Sequence, residues 1–95
     1  MPKRDFSDPL YKKWKQRIRK RDGHSCKMPG CSRGGKRVHV HHIKRWADYP
    51  SLRYEDTNGI SLCRFCHNVV TNNEIHYERL FSNIISDIYD NNSRH

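Results

Sequence analysis

Four cysteines, set as Cys26-x4-Cys31 and Cys63-x2-Cys66, constrain the fold of this chain more than any other feature. A chain of 95 residues with 34% apolar residues builds too small a core to be comfortably stable alone, so it needs a staple. Disulfide frameworks belong to oxidising compartments. The N-terminal run MPKRDFSDP has no apolar signal segment, and no apolar run approaches the ~20 residues of a membrane span. The expectation is one cytoplasmic domain with reduced thiols and no membrane association. Two close cysteine pairs with a long segment between them have the spacing of a four-thiolate structural zinc site. Unligated core thiols and a disulfide are the alternatives. A closed tetrahedron has no open position for chemistry, so such a zinc holds the two ends of the motif together and adds folding energy.

The formal charge is +9 and is unevenly spread. Residues 1–45 carry 15 Lys/Arg against 3 acids, whereas residues 46–95 carry 4 against 7. A concentrated basic half points to a polyanion, most simply nucleic acid; a merely solvated face is the plain alternative.

Residues 1–8 read as a basic flexible tail, with Asp8 doubling as the cap of a helix that starts at Pro9. Leu10, Trp14 and Ile18 fall on one helical stripe, and Gly23 ends the helix near Arg21. Lys12, Lys13, Arg17, Lys20 and Arg21 on its other faces, with Lys44 and Arg45 further on, are candidate DNA contacts. Residues 26–36 read as a knuckle and loop. Arg37 to Ile43 alternates as a short strand, residues 44–58 form a long connection, and Ile60 to Cys63 is a second strand. A helix follows from Arg64 to about Thr71. From Asn73 a longer helix gathers Ile75, Leu80, Phe81, Ile84, Ile85, Ile88 and Tyr89 on one face, which is expected to pack on the domain. The expected class is α+β: an N-terminal helix, a zinc-stabilised domain over residues 9–72 and a C-terminal amphipathic helix over residues 73–95.

Seven histidines is many for this length, and their placement matters more than their number. His39, His41 and His42 crowd one strand, and His67 directly follows Cys66. If the cysteine pairs meet at one ion, His67 and the strand end are drawn into the same neighbourhood. Neutral imidazoles there suit Mn²⁺, Ni²⁺ or Zn²⁺ better than Mg²⁺, and a site with few protein ligands keeps positions open for water and substrate. His24, His76 and His95 read as ordinary surface or core histidines, and His39 is left open.

Three segments together resemble the HNH nuclease motif, also called ββα-metal. They are Val40-His41-His42-Ile43, the loop ending at Asn58-Gly59-Ile60, and Cys63-Arg64-Phe65-Cys66-His67-Asn68. The run from Trp46 to Tyr54 resembles the connection in small HNH proteins of phages and bacteria. The upstream helix and the first cysteine pair look similar too, so the likeness spans roughly residues 10–72. The resemblance implies that His41 and His67 ligate a catalytic divalent metal such as Mg²⁺, Mn²⁺, Ni²⁺ or Zn²⁺. It implies that His42 is the general base and that Asn58 ties the loop and orients that base. It also implies hydrolysis of DNA phosphodiesters with a single metal, leaving 5′-phosphate and 3′-hydroxyl ends. Adjacent positions on a strand aim to opposite sides, which suits water on one side of the phosphate and the leaving group near the metal.

Three positions depart from the family pattern. Thr71 stands where colicin-type DNases place a further metal-ligating histidine. Val70 stands where many small members have a basic residue, and the first knuckle is wider than the common C-x2-C. No separate recognition module is visible, so low sequence specificity on double-stranded DNA is expected, with a monomer or weak homodimer nicking one strand at a time. A non-catalytic zinc-ribbon nucleic-acid-binding protein is the competing reading, and it leaves His41, His42, Asn58 and His67 as coincidence. Small free-standing HNH proteins resemble those encoded beside phage packaging genes, which adds a terminase or other phage protein as a candidate partner.

Overall fold

The computed structural model describes residues 8–31 and 38–93, with side chains described through residue 90. The expected tail before Asp8 and part of the loop after the first knuckle lie outside the described residues. In chain order the elements are α1 (Pro9–Arg21), β1 (His39–His42), β2 (Gly59–Leu62), α2 (Arg64–Val70) and α3 (Glu74–Ser93). Two single-turn 3-10 helices, Pro50–Leu52 and Asp56–Asn58, shape the long connection. The class is α+β, with two antiparallel strands between helices.

Asp8 starts α1, accepting from the Leu10 N–H at 2.9 Å, and Pro9 sits at the first turn where its missing N–H costs nothing. The buried stripe is Tyr11, Trp14 and Ile18. Leu10, expected on that stripe, is 61% exposed. The helix is rotated so that its i, i+3, i+7 row faces the sheet, and a half-polar tyrosine fills the first place.

The strand register is His39 opposite Leu62, Val40 opposite Ser61, His41 opposite Ile60 and His42 opposite Gly59. Because side chains alternate, the hairpin has two distinct faces. Val40 packs with Tyr11, Trp14 and Ile18 on the α1 side. Ile60 and Leu62 join the cysteines, Val70, Phe81 and Ile85 on the side of α2 and α3. Among the described side chains of α3, Phe81 and Ile85 are buried and Tyr77, Ile84, Ile88 and Tyr89 pack partly against the same cluster, while Ile75 and Leu80 face outward.

Gly59 lets α1 come close. A Cβ there would lie 2.6 Å from Trp14 Cζ2 and 2.9 Å from Ile18 Cγ1, both in fully buried side chains. Neither ring nor branched chain can swing away, so Gly59→Ala overpacks the site that sets Trp14 under His42. The expected loss is about 1–3 kcal/mol in urea denaturation, the usual range for overpacking.

Arg21 corrects a sequence expectation. Its side chain is only 10% exposed and is spent inside the fold rather than offered to phosphate. It forms a two-pronged pair with Asp22 (2.8 and 3.0 Å) and donates to the carbonyls of Asp56 and Gly59, each at 2.7 Å. Asp22 in turn accepts from the Ser61 N–H at 2.9 Å. The pair thus ties the end of α1 to the second strand. A helical face rich in Lys and Arg gives no sign of which cation turns inward.

Candidate metal centre and active site

Two knuckles bring the cysteines together. In the first, the Cys31 N–H donates to the Met28 carbonyl at 3.0 Å, closing a turn that needs the positive φ of 81° at Gly30. The second is the start of α2, where the Cys63 sulfur caps the helix and accepts from the Cys66 N–H at 3.4 Å. The knuckles are held in register by the Lys27 N–H donating to the Ser61 carbonyl at 2.9 Å. All four sulfurs lie within 4.8 Å of one another, and the Cys31 and Cys63 sulfurs are 3.9 Å apart. Thiolates at ~2.3 Å from a tetrahedral zinc are ~3.8 Å from each other, so the quartet fits that ion. The Cys66 N–H lowers the Cys63 thiol to about 6. Burial pushes Cys26 and Cys66 up, so a bound cation is what would draw off their protons.

The second cluster lies where β1 meets α2. A cleft of about 240 Å³ is lined by Val40, His41, His42, Arg45, Trp46, Ala47, His67, Thr71 and Glu74. His41 projects from the α2 side of β1, with its ring edge-on to His67 (centroids 5.8 Å apart) and to Phe81 (5.8 Å). Its Nε2 is buried and has no hydrogen-bond partner among the described residues. Burial, then the neighbouring His67, lowers His41 from 6.5 to about 4, while the charge of Glu74 works the other way. A neutral imidazole with an unpartnered buried nitrogen fits a metal ligand. His39, left open by the sequence, is exposed and stacks on His67 with centroids 5.4 Å apart.

His42, on the α1 side, is held differently. Its ring lies 4.3 Å from that of Trp14, centroid to centroid, with an interplanar angle of 21°. Its Nε2 is 2.9 Å from the Arg53 carbonyl. A carbonyl only accepts, so Nε2 carries the proton, and the basic nitrogen of the neutral ring is Nδ1. Trp14 fixes the same loop by donating from Nε1 to the Glu55 carbonyl at 2.9 Å. Arg53 is steadied by its guanidinium, which stacks 3.6 Å over Trp46 and donates to the Trp46 carbonyl.

Asn58 is buried and uses both ends of its amide. Its oxygen accepts from the Lys44 N–H at 2.8 Å, and its nitrogen donates to the carbonyls of Lys44 and Leu52 at 3.2 and 3.1 Å. One side chain therefore joins the end of β1 to the loop that presents the Arg53 carbonyl to His42.

Of the candidate DNA contacts, Lys12, Lys13 and Lys20 are exposed along α1. Arg17 pairs with Asp56 at 2.9 Å, Lys44 with Glu78 at 3.0 Å and Arg45 with Asp48 at 3.5 Å. These half-exposed pairs are weak enough for a phosphate to compete with them.

The HNH endonuclease family model matches residues 26–73, which span both knuckles, the hairpin and α2. The chain belongs to the HNH endonuclease family. No curated protein and no solved structure matches it. This HNH chain therefore carries a nuclease-type hydrolase domain, a class whose substrate is nucleic acid. Its helices α1 and α3 lie outside the matched segment, yet α1 supplies the ring under His42 and α3 supplies Glu74 at the cleft. The sequence alone missed the Arg53 carbonyl and Glu74. A backbone acceptor has no signature in composition, and Glu74 reaches the cleft only because of the turn before α3.

Proposed function

We propose that this HNH protein is a metal-dependent DNA endonuclease that nicks duplex DNA with little sequence preference. The observation that carries the reading is the state of two adjacent histidines at one cleft. His41 offers a buried, unpartnered Nε2, and His42 is held by a carbonyl in the tautomer whose base is Nδ1. Cysteines 26, 31, 63 and 66 would hold a structural zinc, and His41 and His67 a catalytic divalent cation. That cation, when bound, supplies charge for the developing oxyanion of the leaving group. His42 Nδ1 takes a proton from the attacking water. Trp14 keeps the ring in place, and Asn58 keeps the Arg53 carbonyl on Nε2. Lys12, Lys13 and Lys20, with Arg45 at the cleft edge, meet backbone phosphates, which position the duplex without reading its sequence. One cleft per chain cuts one strand at a time.

The test is supercoiled plasmid incubated with zinc-loaded protein and Mg²⁺, Mn²⁺ or Ni²⁺, with EDTA as the blank. Open circles should appear before linear DNA, and only with added metal. Zinc-loaded, folded protein that binds the plasmid and leaves it intact in every metal would replace this reading with that of a DNA-binding zinc protein.

A further inference from the structure

The cleft holds one acidic residue among its described lining. Glu74 stands there with His41, His42, His67 and Thr71, and the lining also includes a cation, Arg45. Two imidazoles beside a guanidinium bring no negative charge to a doubly charged ion. Coulomb attraction calls for a carboxylate there. The position is built rather than incidental. Asn72, with φ of 66°, makes the turn from α2 to α3, and its N–H donates to Glu74 Oε1 at 3.1 Å. Glu74 so held lines the cleft, and its charge acts on the His41 ring there. The family match ends at residue 73, so Glu74 lies just beyond it. Thr71, where some relatives carry a third histidine, points its hydroxyl back to the His67 carbonyl at 2.7 Å.

Resting on the nuclease reading above, we propose that Glu74 supplies the negative charge of the second metal site, in place of a third histidine. Oxygen donors suit Mg²⁺ and Mn²⁺, whereas imidazoles favour Ni²⁺ and Zn²⁺. Glu74 therefore sets which ions the site accepts, widening a two-histidine site toward the harder cations. It acts on the ion and is distinct from the base, His42.

The test is calorimetric titration of full-length, zinc-loaded protein with Mn²⁺ and separately with Ni²⁺, without DNA. Glu74→Gln should weaken Mn²⁺ binding by about tenfold or more, the scale seen when groups supporting a metal site are removed, and Ni²⁺ binding by clearly less. Glu74→Asp should recover part of the Mn²⁺ affinity. Asp87→Asn removes the same charge from α3, ~20 Å further along the helix, and should change neither ion. Zinc content and circular dichroism show that each variant folds. Equal Mn²⁺ affinity in wild type and Glu74→Gln overturns the proposal. So does an equal loss for both ions, or the same loss in Asp87→Asn. Wild-type protein that takes up no ion beyond the cysteine zinc defeats the nuclease reading itself, and this inference with it.

Discussion

His42→Ala should nick supercoiled plasmid about 10²–10⁴ times more slowly than wild type, the range of a positioned general base. The cause is specific. The Arg53 carbonyl fixes the proton on Nε2, and stacking on Trp14 fixes the plane of the ring. In the proposed mechanism the alanine variant lacks both the base and a group to orient water. It leaves the cysteine quartet and the His41 and His67 pair untouched, so zinc content and uptake of a second metal should be unchanged. Because His42 also covers Trp14, His42→Gln serves as a second variant that keeps more of the contact. It should be comparably slow. Initial rates of open-circle formation, measured at matched zinc content, decide the matter. Nicking at the wild-type rate by either variant would mean that the base lies elsewhere.

Removing zinc should unfold the domain. Metal binding in small zinc modules is worth about 10–16 kcal/mol at neutral pH, and the whole stability of a domain is only about 5–15 kcal/mol. The described core divides into two small clusters, and the larger is built directly around Cys26, Cys63 and Cys66. Without the ion, buried thiols lose their partner, and nothing covalent holds the knuckles across the hairpin. Protein stripped with a strong chelator, or Cys66→Ser, should lose its cooperative thermal transition. Returning Zn²⁺ should restore it for the stripped wild type. A stripped chain that melts as the zinc-loaded one does would show that the quartet is merely a cluster of core thiols.

Much of the arrangement was legible in the residues. Cysteine spacing and the His41-His42, Asn58 and Cys63-to-Asn68 segments marked the hairpin, the helix after it and the two clusters. Those signals are local, and each fixes a turn or a strand end. What could not be read depends on tertiary contacts. Leu10 and Tyr11 compete for one stripe, and Tyr11 takes it because its ring packs against Trp14, His42 and Tyr54. Arg21 looks like its basic neighbours until Asp22, Asp56 and Gly59 are placed around it. The partner of His42 is a carbonyl of Arg53, a position whose side chain says nothing of that role. Glu74 reads as the first turn of a helix, and only the turn at Asn72 brings it to the cleft.

In the proposed mechanism neighbouring histidines divide the labour, His41 holding the metal and His42 taking the proton. The most direct measurement sets Mn²⁺ binding and plasmid nicking side by side for wild type, His41→Ala and His42→Ala, all zinc-loaded. His41→Ala should lose both Mn²⁺ binding and nicking, while His42→Ala should keep the metal and lose the cutting. Wild-type Mn²⁺ affinity and nicking in His41→Ala would contradict it.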